Sequence, residues 1–208
     1  MSRKLRPLTH TDVQSTPTGC AACVFWESAG YADRRCGSVC DVEAQEAWFR
    51  KTIDEWGQCG RAAYEDDRLL GFIKYAPSRY FPQAQTFAAR PADANVPLIT
   101  CLHVMPEARN HGLGSVLLRS ALSDLKKRGE RRVESFGMAK RPDDFAEWPM
   151  VGVGFLERNG FTVVQPDAHF PLMQVELRSL VAWSDNLEAV LESLKLPLRI
   201  PERQPTPW

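Results

Sequence analysis

The sequence predicts an α/β fold, with strands and helices alternating in the order β-α-β-β-β-α-β-α-β-β. Three observations carry this reading. Residues 97–105 (Pro-Leu-Ile-Thr-Cys-Leu-His-Val-Met) are apolar almost throughout, as a central strand buried on both faces would be. The segments Val42 to about Trp56 and 112–128 show helical periodicity. Glycines sit where elements would end, at Gly57, Gly129 and Gly160. The 208 residues, 44% hydrophobic and 25% charged, suffice for one domain with a sizeable core and exclude wholesale disorder.

The elements follow in order. Residues 4–9 read as an edge strand, because Pro7 is tolerated in a strand only at an edge or bulge. Residues 10–40 show no clean periodicity. A helix runs from Val42 to about Trp56, with Asp41 as N-cap, Gly57 as stop, and Phe49, Ile53 and Trp56 as its apolar stripe. Strands at 59–65 and 69–76 form a hairpin around Asp66-Asp67-Arg68. The proline-bearing stretch 77–96 reads as a long loop of the kind that binds ligands. After the central strand comes a helix at 112–128, burying Leu118, Ala121, Leu122 and Leu125. A strand at 131–137, a helix ending at Asn159-Gly160, and strands at 161–165 and 172–178 complete the core. A further helix spans Trp183 to Leu196, capped by Ser184 or Asp185, with Leu187, Val190, Leu191 and Leu194 on one side. The proline-rich tail reads as loose.

Charge and hydropathy narrow the function. Lys+Arg and Asp+Glu are 26 each, so no overall positive field draws nucleic acid, and none is expected as a partner. No stretch approaches the ~20 apolar residues of a membrane helix, and the basic start has no apolar run behind it. The expected compartment is therefore the cytoplasm, where the six cysteines would be reduced.

The most informative segment is Val104-Met-Pro-Glu-Ala-Arg109-Asn-His-Gly112-Leu-Gly114-Ser115, lying between the buried strand and an amphipathic helix. The first amides of a helix have no acceptor within it, and with the helix dipole they suit a phosphate. Neither a P-loop nor a three-glycine dinucleotide fingerprint is present. Arg109-x-x-Gly112-x-Gly114 instead resembles the acetyl-CoA pyrophosphate loop of the GNAT superfamily of N-acetyltransferases. Further on, Gly154-Phe-Leu-Glu-Arg-Asn-Gly160-Phe161 resembles the superfamily's second signature, a helix ending in Gly-Phe and running into a strand. The element order matches as well.

The resemblance implies the GNAT acyl-CoA N-acyltransferase fold, a central mixed twisted sheet with two splayed strands flanked by helices. Here the splayed strands would be 97–105 and 131–137. Residues 1–178 would form the domain, and 179–208 a helical extension with a proline-rich tail. The pantetheine arm of acetyl-CoA would pair with Leu102, His103 and Val104. Arg109, Asn110, His111, Gly112, Leu113, Gly114 and Ser115 would hold the pyrophosphate. An amide near Leu102 to Val104 would face the developing oxyanion.

The acceptor amine must lose a proton, since at pH 7 only about 1 in 10³ of lysine-like amines is neutral. Many members place an acidic base early on the first splayed strand, where this sequence has Leu98. Thr100 could position a water but not act as the base. Glu134, inside the second strand, is the first substitute; alternatively it faces solvent or pairs with Arg131 or Arg132. Glu27, after Phe25-Trp26, is the second, or else a helix cap or structural ion-pair partner. A lone His103 on an apolar strand reads as a core residue. The family's acid, a Tyr four residues before the second-motif glycine, is Leu156 here.

Cys20-x2-Cys23-x12-Cys36-x3-Cys40 places four thiols close in sequence. The spacing allows a structural zinc, small buried thiols, or a redox pair at Cys20 and Cys23. Cys20-Ala-Ala-Cys23-Val-Phe-Trp-Glu27 is also similar to the opening of a bacterial branch of the superfamily. Cys59 and Cys101 read as core residues.

The expected activity is transfer of an acetyl group from acetyl-CoA to a primary amine of a small molecule or protein. The alternative is a non-catalytic acyl-CoA sensor or interaction module. Arg79, Tyr80, Phe81 and Arg90 in the 77–96 loop would suit an anionic or aromatic partner. The 184–196 helix would pack on its own domain or on a second copy in a homodimer.

Overall fold

The computed structural model describes residues 2–16, 20–29, 40–140, 150–178 and 186–196. Its first half runs β1 (Arg3–Pro7), α1 (His10–Gln14), α2 (Val42–Glu55), β2 (Gly60–Glu65), β3 (Arg68–Pro77) and β4 (Pro97–Val104). Its second half runs α3 (Leu113–Lys127), β5 (Arg132–Met138), β6 (Val151–Gly152), α4 (Val153–Arg158), β7 (Thr162–Gln165), β8 (Leu172–Glu176) and α5 (Leu187–Ser193). The strands form one mixed sheet in the order β1-β2-β3-β4-β5-β8-β7, with β6 beside β5. β1 lies at the edge, where Pro7 is tolerated.

Side chains alternate across the strands, so the sheet supports two separate cores. One face carries Ile73, Tyr75, Ile99, Val133 and Val175 against Leu117, Leu118, Leu122 and Leu125 of α3. Each such leucine, fully buried, stabilises the fold by roughly 1.5–3 kcal/mol. The other face carries Phe72, Ala76, Leu98 and Phe136 against Trp48 and Phe49 of α2, with Phe25, Trp26, Phe81 and Phe87.

Several elements differ from the sequence expectation. α2 buries Gln45, Trp48, Phe49 and Thr52, while Ile53 is 41% exposed. Its inward stripe is centred one position before Ile53, because Trp48 stacks on Phe81 and donates to the Tyr80 carbonyl at 2.7 Å. The aperiodic stretch contains α1, held by a capping box between Thr9 and Asp12. The 77–96 stretch folds into two 3-10 turns that bury Tyr80 and Phe81, so these two rings are core and not a partner-binding surface. Arg79 bonds to Asn95 at 2.6 Å and covers the Tyr80 ring. The cap of α5 is Asn186, accepting from the Ala189 amide at 2.9 Å; Trp183, Ser184 and Asp185 lie outside the described residues.

α5 packs on α3 and on β1, with Leu191 and Leu196 in the α3-side core. Arg3 anchors it, donating to the Leu191 and Glu192 carbonyls while its Nε meets the buried Glu65 at 3.1 Å. Among the described residues no helix is long and apolar enough to cross a membrane.

Candidate active site

The site begins where β4 and β5 part. These parallel strands pair only at Leu98 with Glu134 and Ile99 with Ser135. Beyond Ser135, β5 turns to β6 instead, pairing Gly137 with Val151 and Met138 with Gly152. β4 keeps its other neighbour, β3, as far as Val104 with Gly71. A gap therefore opens beside β4 from Thr100 onward. At that point Lys74 opposes Cys101 and Tyr75 opposes Ile99, which leaves Thr100 as the extra residue of a bulge. Thr100 thus stands outside the β3–β4 ladder. The Thr100 side chain is buried and bonds weakly to the Lys74 carbonyl at 3.5 Å.

The gap leads to the start of α3. Asn110 and Gly112 both adopt left-handed backbone, with φ of 63° and 88°. Gly112 is the N-cap residue of α3, and only glycine takes that conformation without steric cost. Ser115 and Val116 donate back to the Gly112 carbonyl. The amides from Asn110 to Gly114 make no backbone hydrogen bond among the described residues. They stand as a row of donors at the positive end of a fifteen-residue helix. Arg109 is tied to the turn through Nε, which donates to the Val104 carbonyl at 2.9 Å. Gly114 lies between Phe155 and Leu102, an apolar flank to the same turn. These donors and the gap beside β4 fit a long thiol ester ending in a diphosphate.

Residues 17–161 match the family model described as Acetyltransferase (GNAT) family. The chain belongs to the acetyltransferase (GNAT) family. GNAT structures share its fold at low identity. yncA from Salmonella typhimurium, solved with its cofactor acetyl-CoA, is 16% identical, with a TM-score of 0.57 over 89% of this chain and 99% of that one. An N-acetyltransferase from Staphylococcus aureus Mu50 is 14% identical, with a TM-score of 0.55 over 85% and 99%. The loading GNATL domain of CurA from Lyngbya majuscula is 15% identical, with a TM-score of 0.54 over 86% and 100%. No curated protein matches the sequence. As a GNAT protein the chain is an acyltransferase at the level of its family.

On the α2-side face, the structure separates the two candidate carboxylates. Glu134 lies at the closed end of the gap, opposite Leu98, and is 5% exposed. Burial pushes its carboxyl up to about 7, against the pull of Arg132 and with a smaller push from Asp93. Arg132 does not neutralise it, because its guanidinium pairs with Asp93 at 3.3 Å. Glu134 Oε2 has no hydrogen-bond partner among the described residues. Glu27 is differently placed. It is paired with Lys74 of β3, both side chains nearly fully buried, so the structural ion pair is the arrangement present. Lys74 also lies over the Trp48 ring. Burial alone would lower the Lys74 pKa, but the neighbouring Cys101 and Glu27 outweigh it and the net shift is upward.

His103 is part-buried on the same face, stacked on Phe72, with Nδ1 at 3.9 Å from Cys20 Sγ. Leu156 is fully buried in the α3-side core. Cys59 is fully buried, and burial pushes its thiol and that of Cys101 up to about 12.

The cysteine motif is only partly in view, since Cys36 lies outside the described residues. Among the described residues no three His, Cys, Asp or Glu side chains converge as a metal site would require. A structural zinc at Cys20, Cys23, Cys36 and Cys40 therefore has no support among the described residues.

Missed by sequence reasoning were Lys74, whose partner is 47 residues away, and the bulge at Thr100, which has no sequence signal.

Proposed function

We propose that this protein moves an acetyl group from acetyl-CoA directly to a primary amine on a small molecule or a protein. The observation that carries the reading is the gap beside Thr100–Val104 leading to the row of open amides at Asn110–Gly114. Acetyl-CoA supplies the activated acetyl thioester. Leu102, His103 and Val104 border the gap through which the pantetheine arm would run. Arg109 to Ser115 hold the diphosphate through amides and one guanidinium. The bulged backbone at Thr100, nearer the closed end than Leu102–Val104, donates to the carbonyl oxygen as it gains charge.

Glu134 is the general base in this reading. A base works best with a pKa near the operating pH, and a buried carboxyl at about 7 meets that condition. Its bare Oε2 can take the proton of an incoming ammonium. Glu27 takes no proton in this scheme, because it is committed to Lys74. No acid is assigned at Leu156; a thiol of pKa near 8.5 leaves tolerably without one. That same apolar position favours the second reading, an acyl-CoA-binding module without turnover.

Calorimetric titration with acetyl-CoA, followed by release of free CoA thiol in the presence of a panel of amines, separates these readings. Saturable micromolar binding with amine-dependent thiol release is the expected result. Binding without release by any amine supports the sensor. Absence of binding by the folded protein overturns both.

A further inference from the structure

We propose that Cys23 and Cys40 form a reversible disulfide that staples the 20–29 segment to the start of α2. The two residues oppose each other in an antiparallel β-bridge. Beside them the Asp41 amide donates to the Ala22 carbonyl at 2.8 Å, while the Cys23 amide donates to Cys20 at 3.2 Å and not across the bridge. This is the pattern of a non-hydrogen-bonded pair. Such pairs bring Cα atoms to about 4.5 Å, with both side chains on one face. Disulfides need Cα atoms roughly 4.4–6.8 Å apart, a range that pairs of this type fall within.

Cys20 lies close enough to act on Cys40 electrostatically, but only Cys23 opposes Cys40 in the bridge. Cys20 reaches His103, Cys59 is fully buried in the core, and Cys101 lies in the sheet opposite Lys74. Cys40 is exposed, so an oxidant reaches it first. With glutathione disulfide, the Cys40 thiolate attacks one sulfur, breaks the glutathione S–S bond and releases one glutathione thiolate. The Cys23 thiolate then attacks Cys40 Sγ and releases the second. Two protein thiols are oxidised, one glutathione disulfide is reduced, and the two thiol protons end on the released glutathiones.

The staple bears on the α2-side face of the sheet, which carries Glu134. Cys23 is followed by Phe25 and Trp26, which pack into the α2-side core, and by Glu27, which holds Lys74. Trp26 stacks on Phe136, two residues from Glu134 on the same strand. One link already ties this wall to α2, since Gln45 Nε2 donates to the Cys23 carbonyl at 3.1 Å. A disulfide adds a covalent link between residues 23 and 40 to that hydrogen bond.

The test uses the full-length protein, reduced and then equilibrated in glutathione buffers of rising oxidised fraction. Remaining thiols are alkylated, the disulfide is mapped by peptide mass, and Tm is read in parallel. The expected result is one reversible disulfide joining Cys23 to Cys40, with Tm raised by about 5–10 °C. Cys40→Ser removes both effects while keeping the reduced wild-type Tm, and Cys20→Ser keeps both. A disulfide of Cys40 with Cys20, any pairing through Cys36, glutathione adducts alone, or no oxidation overturns the proposal.

Discussion

The two faces of the sheet are built for opposite tasks. On the α3 side, the turn before the helix offers backbone amides, set by two left-handed residues and a helix start. On the α2 side, side chains make the site: a buried ion pair, an isolated carboxyl and a cluster of aromatic rings around Trp26 and Phe136. A backbone site needs only glycine and a helix, so any surrounding sequence can carry it. A side-chain site needs each partner present, which makes it specific and costly to disturb.

The largest effect should come from breaking the ion pair. Lys74→Ala leaves the Glu27 carboxylate buried without its cation, at a cost of about 3–5 kcal/mol by denaturant unfolding. Adding Glu27→Leu and changing Lys74 to Met should restore most of that, because an apolar pair of similar volume carries no desolvation penalty. If Lys74→Ala is neutral, the α2 face is not held by this pair.

Glu134→Gln should act on rate and stability in opposite directions. As the base, Glu134 would contribute about 10²–10⁴-fold to turnover, and kcat/KM of the wild type should rise with pH through about 7. Its folded pKa lies above the ordinary carboxylate value, so the stability linked to its protonation is full below about 4.5 and is lost as pH rises through about 7. The Gln variant should therefore equal the wild type near pH 4 and exceed it above pH 8, by on the order of 2–3 kcal/mol. A pH-independent difference would remove Glu134 from both roles.

Smaller effects belong to the turn before α3. Gly112→Ala forces a side chain into left-handed backbone and should cost roughly 1–2 kcal/mol of stability, besides pressing on Leu194. Arg109→Glu should weaken acetyl-CoA binding about tenfold, about 1.4 kcal/mol, as read by calorimetry.

This contrast also explains what the sequence disclosed. Within Arg109-x-x-Gly112-x-Gly114, Gly112 was legible because its left-handed backbone favours glycine. Glu134 stood out as a carboxylate inside an apolar strand. Its isolation did not, because Arg132, a natural partner two residues away, is drawn to Asp93 in the 77–96 stretch. Lys74 reads as an ordinary outward residue of a hairpin until Glu27, in a stretch without periodicity, closes over it. α1 went unread, because its five residues, capped by Thr9 and Asp12, are too few for a period to emerge. Ile53 looked buried from spacing alone and was displaced by Trp48, whose indole finds both a ring and a carbonyl inside.

The central claim, that a backbone-built turn and the β4–β5 gap together receive acetyl-CoA, is tested most directly by amide-resolved NMR titration. Saturable shifts should concentrate on the amides of Asn110 to Ser115 and Thr100 to Val104, leaving the exposed face of α2 unmoved. Shifts confined to the α2 side, or none at millimolar acetyl-CoA, would contradict it.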